Sequence, residues 1–177
     1  MTVQSAANLK ALFQGKDPQN WIDDLVDSVA KALGLPTNAA LVVAEERTFT
    51  ENGAGTYTGS VDVPAGATLI DIIVNGVALW TAATSAAMIV GDATDPNGYY
   101  DAINLKATDL LAGESISFAL AGGKAGAYIA NSQVSPRYAA TARTISGEIT
   151  SVGAGTAGRT RMVVVYVVPT AVAATQA

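Results

Sequence analysis

The chain has 177 residues, no histidine, no cysteine and a net charge of −5; this removes the Ser-His-Asp triad, imidazole metal ligands, thiolate nucleophiles and structural zinc sites. Charged residues are 14% of the total, against about 25% in ordinary globular domains, and hydrophobic residues reach 50% with aromatics at only 6%, so the excess lies in small side chains. The acidic balance and the scattered bases, with Arg137, Arg143, Arg159 and Arg161 the nearest to a group, argue against the basic stripe of a nucleic-acid binder.

Residues 1–35 differ in kind from the rest. Asp17 is placed to cap a helix with Pro18 at its first position, and Gly34 stands where that helix stops. Between them Trp21, Ile22, Leu25, Val26, Val29 and Leu33 recur at helical spacing and form one apolar face. A shorter helical stretch with Leu9, Leu12 and Phe13 on its apolar side precedes it and ends at Gly15. The stripe has two readings: packing on the protein's own sheet, or an arm that docks on another subunit.

After Leu35-Pro36-Thr37-Asn38 the period changes from helical to two-residue. Strands are predicted in VDVPAGATLIDIIVNGVALW, AAMIVGDATDPNGYYDAINL, ESISFAL, ARTISGEITSV and RTRMVVVYVV. Ser115, Ser117 and Ala119 alternate with Ile116, Phe118 and Leu120, and Ile145 and Ile149 alternate with Thr144, Ser146, Glu148 and Thr150. Asn75-Gly76 between two apolar runs predicts a hairpin turn. Pro64-Ala65-Gly66, Asp95-Pro96-Asn97-Gly98, Ala112-Gly113 and Gly153-Ala154-Gly155 predict further turns. About eight or nine short strands of this kind favour a mainly β fold, a jelly-roll-like antiparallel β-sandwich with an N-terminal helical segment.

The expected organisation is a helical arm over 1–35, a β-sandwich over 36–170 and a flexible tail over 171–177. Gly122 to Arg137 reads as a long polar loop carrying Tyr128 and leading to Tyr138. The N-terminus lacks the basic start and apolar run of a secretory signal. The longest apolar run, Met162 to Val168, is too short to cross a bilayer.

Candidate chemistry is sparse. Asp92, Asp95 and Asn97 supply oxygen ligands on a short loop, but their spacing misses the EF-hand pattern and no bidentate Glu follows, so a plain turn is favoured over a cation site. No carboxylate pair is marked for sugar cleavage, and Gly122-Gly123-Lys124 lacks the context of a phosphate loop. Arg159 and Arg161 alternate on one strand, as a solvated face or as partners for acids of a neighbouring subunit. No catalytic, cofactor or metal residue is therefore assigned. The candidate interface is Trp21, Ile22, Leu25, Val29, Leu33, Arg159 and Arg161. A low-charge surface rich in small residues also predicts an oligomer.

The stretches VDVPAGATLIDIIVNG, LWTAATSAAMIVGDATDPNGYYD, AGESISF and TISGEITSVGAGTAGRTRMVVVYV, roughly Val61 to Val168, resemble small head structural proteins of tailed bacteriophages. The shared features are a strand ending in Pro-Ala-Gly, a Val-Gly-Asp…Asp-Pro-x-Gly-Tyr turn, and a Thr-Ala-Gly turn leading into a terminal strand. The resemblance implies a jelly-roll capsid decoration (cement) protein that binds the outer capsid surface and the major capsid protein. It also implies a homotrimer, residence on the virion exterior after synthesis in the bacterial cytoplasm, and no enzymatic activity, nucleic-acid or membrane partner. Residues 1–35 lie outside the resemblance. Two alternatives remain open: another virion component, such as a head fibre base, neck or tail protein, and a carbohydrate-binding module with Trp80, Tyr99, Tyr100 and Tyr128 as exposed platforms.

Overall fold

The computed structural model describes residues 41–106, 108–130 and 137–168. The helical stretches predicted over 1–35 and the tail over 171–177 lie outside the described residues. Eight strands appear in chain order: β1 (Leu41–Thr50), β2 (Gly55–Val63), β3 (Thr68–Ala78), β4 (Ser85–Gly91), β5 (Tyr100–Asn104), β6 (Ser115–Ile116), β7 (Arg143–Val152) and β8 (Arg159–Val168).

The strands form two four-stranded sheets in the orders β1-β8-β3-β6 and β2-β7-β4-β5, with every pairing antiparallel. Apart from the β4–β5 neighbours, each strand passes to the opposite sheet, which is the strand order of a jelly roll. The predicted β-sandwich is therefore present.

Period-two patterning builds the core. On β7, Ile145, Gly147, Ile149 and Ser151 point inward while Thr144, Ser146 and Thr150 face out. On β8 the inward positions are Thr160, Met162, Val164 and Tyr166. These meet Leu69, Ile72 and Val74 from β3 and Met88 and Val90 from β4, all fully buried. Burying each such side chain is worth about 1.5–3 kcal/mol.

Turn chemistry follows the predicted positions at Gly66 (φ 77°) and Gly113 (φ 87°), where only glycine takes a left-handed backbone without strain. The Asp95 to Gly98 turn is closed by Gly98 N–H donating to the Asp95 carbonyl at 3.1 Å.

Two local expectations are corrected. Asn75-Gly76 is not a hairpin turn: both residues lie inside β3, facing Arg161 and Thr160 of β8. Gly76 is required by a close approach, since a Cβ there would stand 2.3 Å from the Leu111 carbonyl oxygen. The Ser115 to Leu120 alternation also fails as a full strand. Pairing stops after Ile116, and Phe118–Leu120 forms a 3-10 turn whose Leu120 is exposed. Asp71 Oδ1 accepts the Phe118 N–H at 2.9 Å and so takes up a backbone donor freed from the ladder. The glycine-bearing loop that follows contains a 3-10 turn at Gly122–Lys124 and a single helical turn, α1 (Ala127–Ala130).

Candidate interaction surface

The described residues carry little that resembles a reaction centre. Asp92 Oδ1 accepts the N–H groups of Thr94 (2.9 Å) and Asp95 (3.1 Å) and the Tyr128 hydroxyl (3.1 Å). Its carboxylate is occupied in holding the turn and in docking α1 onto it. Among the described residues no three acidic side chains converge to hold a metal ion.

Three of the four aromatic platforms expected for a carbohydrate module are not on the surface, and the fourth, Tyr128, is half-buried. Tyr99, Tyr100 and Trp80 are buried. The Trp80 indole N–H donates to Thr160 Oγ1 at 2.9 Å, and Tyr99 packs edge-on against Tyr128 at 5.1 Å between ring centres. Burial pushes the Tyr99 hydroxyl up to about 12. These rings belong to the core, and that alternative loses the surface it needs.

Among the described residues one carboxylate is buried, and it fastens loops. Glu51, 3% exposed, follows β1. Its Oε2 accepts the N–H groups of Thr81 (2.8 Å), Ala157 (3.2 Å) and Gly158 (2.9 Å) and the Thr81 hydroxyl (2.9 Å). Burial opposes ionisation, but these hydrogen bonds outweigh it and hold the carboxyl below its usual range. Glu51 thus ties the β1–β2, β3–β4 and β7–β8 connections together at one end of the sandwich.

Surface character divides sharply between the two sheets. The outward side of β2 and β7 pairs Thr58 with Glu148, Ser60 with Ser146, and Asp62 with Thr144. Thr144 Oγ1 donates to Asp62 Oδ1 at 2.7 Å. The outward side of β1, β8 and β3 is different: Val42 stands beside Val167, Ala44 beside Val165, and Val163 beside both Glu46 and Ile73. Val42 is 64% exposed and the preceding Leu41 is 60% exposed, while Val163, Val165, Val167 and Ile73 are half-buried.

Of the residues predicted for the interface, Trp21, Ile22, Leu25, Val29 and Leu33 lie outside the described residues. Arg159 and Arg161 are both exposed on the outward side of β8, at the polar end of the same face as the valines. Arg161 reaches Glu46 of its own chain at 3.7 Å. The valines themselves were not singled out from the sequence, although their signal was there. A strand with one solvated side should alternate, and Met162 to Val168 does not.

No protein-family model matches the chain, and no curated protein matches it in sequence. Among solved structures the fold is similar to a chain in the acidic stable capsid structure of Helicobacter pylori bacteriophage KHP30, with 16% identity, 75% of this chain and 90% of that one covered, and a TM-score of 0.51. Chains in the Cyanophage Pam1 capsid asymmetric unit (19% identity, 73% and 86% covered, TM-score 0.47) and in the capsid of Ralstonia phage GP4 (21% identity, 76% and 88% covered, TM-score 0.45) are more distant in fold. At these identities the likeness is one of fold.

Proposed function

We propose that the chain is a structural protein of a tailed-bacteriophage virion, a non-enzymatic decoration protein that docks on the outer surface of the capsid and stabilises it. The observation that carries this reading is the asymmetry of the sandwich. The β2–β7 pair turns a Thr/Ser/Glu side to solvent, and β1, β8 and β3 turn out a valine-rich side that also carries Glu46 and Asp71 and is bordered by exposed Arg159 and Arg161. Such a molecule is built to lie with one side against a neighbour and the other in water. The fold likeness to a chain of a phage capsid supports the same setting.

In this reading the major capsid protein is the partner and the functional unit is a homotrimer. The stripe Trp21, Ile22, Leu25, Val29 and Leu33 supplies a further segment for contact with a neighbouring subunit. A cement role needs no catalytic group, because many weak contacts are multiplied by symmetry. The jelly roll also suits a major shell subunit or a neck or tail component. These readings are separated by copy number and location.

Quantitative mass spectrometry of purified particles, before and after trypsin shaving, tests the proposal. A decoration protein is expected in fixed ratio to the major capsid protein and is cleaved on intact particles. Absence from particles, or recovery with tails alone, refutes it.

A further inference from the structure

We infer that the valine rows on the outward side of β1, β8 and β3 are the surface on which a second copy of this chain packs. This inference rests on the structural-protein reading and deepens it. The solvated side of an antiparallel sheet is normally polar, as the β2–β7 side of this molecule is. Val42, Val163, Val165, Val167 and Ile73 break that rule as one patch: Val163, Val165 and Val167 follow one another along the outward side of β8, Val42 stands beside Val167 and Ile73 beside Val163, with Ala44 and Asp71 flanking Val165. Exposed Ile70 marks the Val42–Val167 end of the patch on β3.

Two further observations favour a copy of the same chain as the occupant. The border of the patch carries both signs of charge. On the patch side of β1 and β8, exposed Glu46 and Arg161 form a long pair at 3.7 Å, whereas Glu45 and Arg47 alternate to the other side of β1, where Glu45 accepts the Tyr166 hydroxyl at 2.7 Å. Pairs of this kind hold little energy within one molecule. They are free to re-form across a boundary, and a border with both signs complements itself. The free edges of the sandwich are also unequal. β6 is two residues long, and β5 is interrupted by a register shift and by Ala102 at φ 50°, which blunts both as templates. β1 and β2 run ten and nine residues in unbroken register without proline or lysine, and of these two edges β1 is the one that borders the valines. Among the described residues the valine patch therefore ends at an unpaired edge, where another copy meets both side chains and backbone.

The test uses the full chain and sedimentation velocity at micromolar concentration, with Val165→Lys on the patch and Thr58→Lys on the opposite side. Wild type and Thr58→Lys are expected as oligomers, and Val165→Lys as a folded 17.9 kDa monomer with a cooperative melt. If Val165→Lys fails to fold, the double variant Val163→Thr/Val165→Thr, which keeps the β-branched shape, decides. It is expected to weaken association about tenfold. A monomeric wild type, or a folded patch variant with unchanged association, overturns the inference. Binding to phage heads is scored on the same proteins. Wild type that associates through the patch but never binds heads contradicts the virion reading and leaves this inference standing.

Discussion

The ring of Phe49 lies over Gly147: a side chain begun at that glycine would stand 3.0 Å from Phe49 Cζ and 2.8 Å from Met88 Cε. Phe49 is the penultimate residue of β1 and Gly147 is central in β7, so the contact joins the two sheets. Gly59, the cross-strand partner of Gly147, lies under the same ring, with a Cβ position 3.2 Å from Phe49 Cε1. Phe49→Ala is expected to cost about 3–5 kcal/mol through the cavity it leaves. Gly147→Val overpacks the same space and costs about 1–3 kcal/mol. Because the two sites touch, Phe49→Leu combined with Gly147→Ala should lose less stability than the sum of the single changes. Urea melts of the four proteins measure the coupling, and strict additivity would contradict this packing.

Glu51 predicts an acid-sensitive step. Its folded carboxyl titrates below the ordinary range near 4.5. Its contribution is complete above the unfolded value and disappears as pH falls through the lower folded one. Glu51→Gln keeps the shape but loses the charge that accepts the N–H groups of Thr81, Ala157 and Gly158. The expected loss is about 1.5–3 kcal/mol at pH 7, shrinking toward zero in strong acid. Melting curves of both proteins from pH 7 to pH 2 check this, and a difference that does not depend on pH contradicts it.

Gly76 distinguishes a close approach from a turn. If it occupied the left-handed position of an Asn-Gly hairpin, Gly76→Asn would be tolerated. Inside β3, with the Leu111 carbonyl 2.3 Å from a Cβ position, both Gly76→Ala and Gly76→Asn displace backbone. Each is expected to lower stability by about 1–3 kcal/mol, read as a lower Tm. A wild-type Tm for Gly76→Asn would restore the turn.

These residues mark what the sequence can and cannot reveal. The alternation around Ile145 and Ile149 was legible because β7 has one wet and one dry side. Gly66 and Gly113 were legible because a local dihedral demands glycine there. Gly76 misled because its need arises from Leu111, 35 positions away in sequence but in contact through the fold. β1 drew no attention because Glu45-Glu46-Arg47 is weak strand sequence; as an edge strand it keeps those charges at the solvent. The burial of Glu51 was also hidden, since its donors come from two loops distant in sequence. For the candidate surface, Arg159 and Arg161 were placed on the correct side of β8 by alternation. The valines beside them were missed because an unbroken apolar run does not reveal which side of it meets water.

Chelation should leave the fold unchanged. Asp92 is engaged by Thr94, Asp95 and Tyr128, so its turn closes with protein donors. EDTA is expected to move the Tm by no more than about a degree, because only a ligand bound to the folded state raises stability by mass action. A fall of many degrees that Ca²⁺ reverses would establish a cation site at the Asp92 to Gly98 turn.

The measurement that bears most directly on the proposed role is binding of the purified chain to phage heads assembled without it, followed by cryo-electron microscopy of the products. A decoration protein is expected to bind saturably, in a fixed ratio to the major capsid protein. The Val42, Val165 and Val167 side should be buried against neighbouring subunits, with the Thr58 and Ser146 side outermost. Heads that take up none of the protein, or bind it without symmetry and without the apolar side covered, would contradict the account.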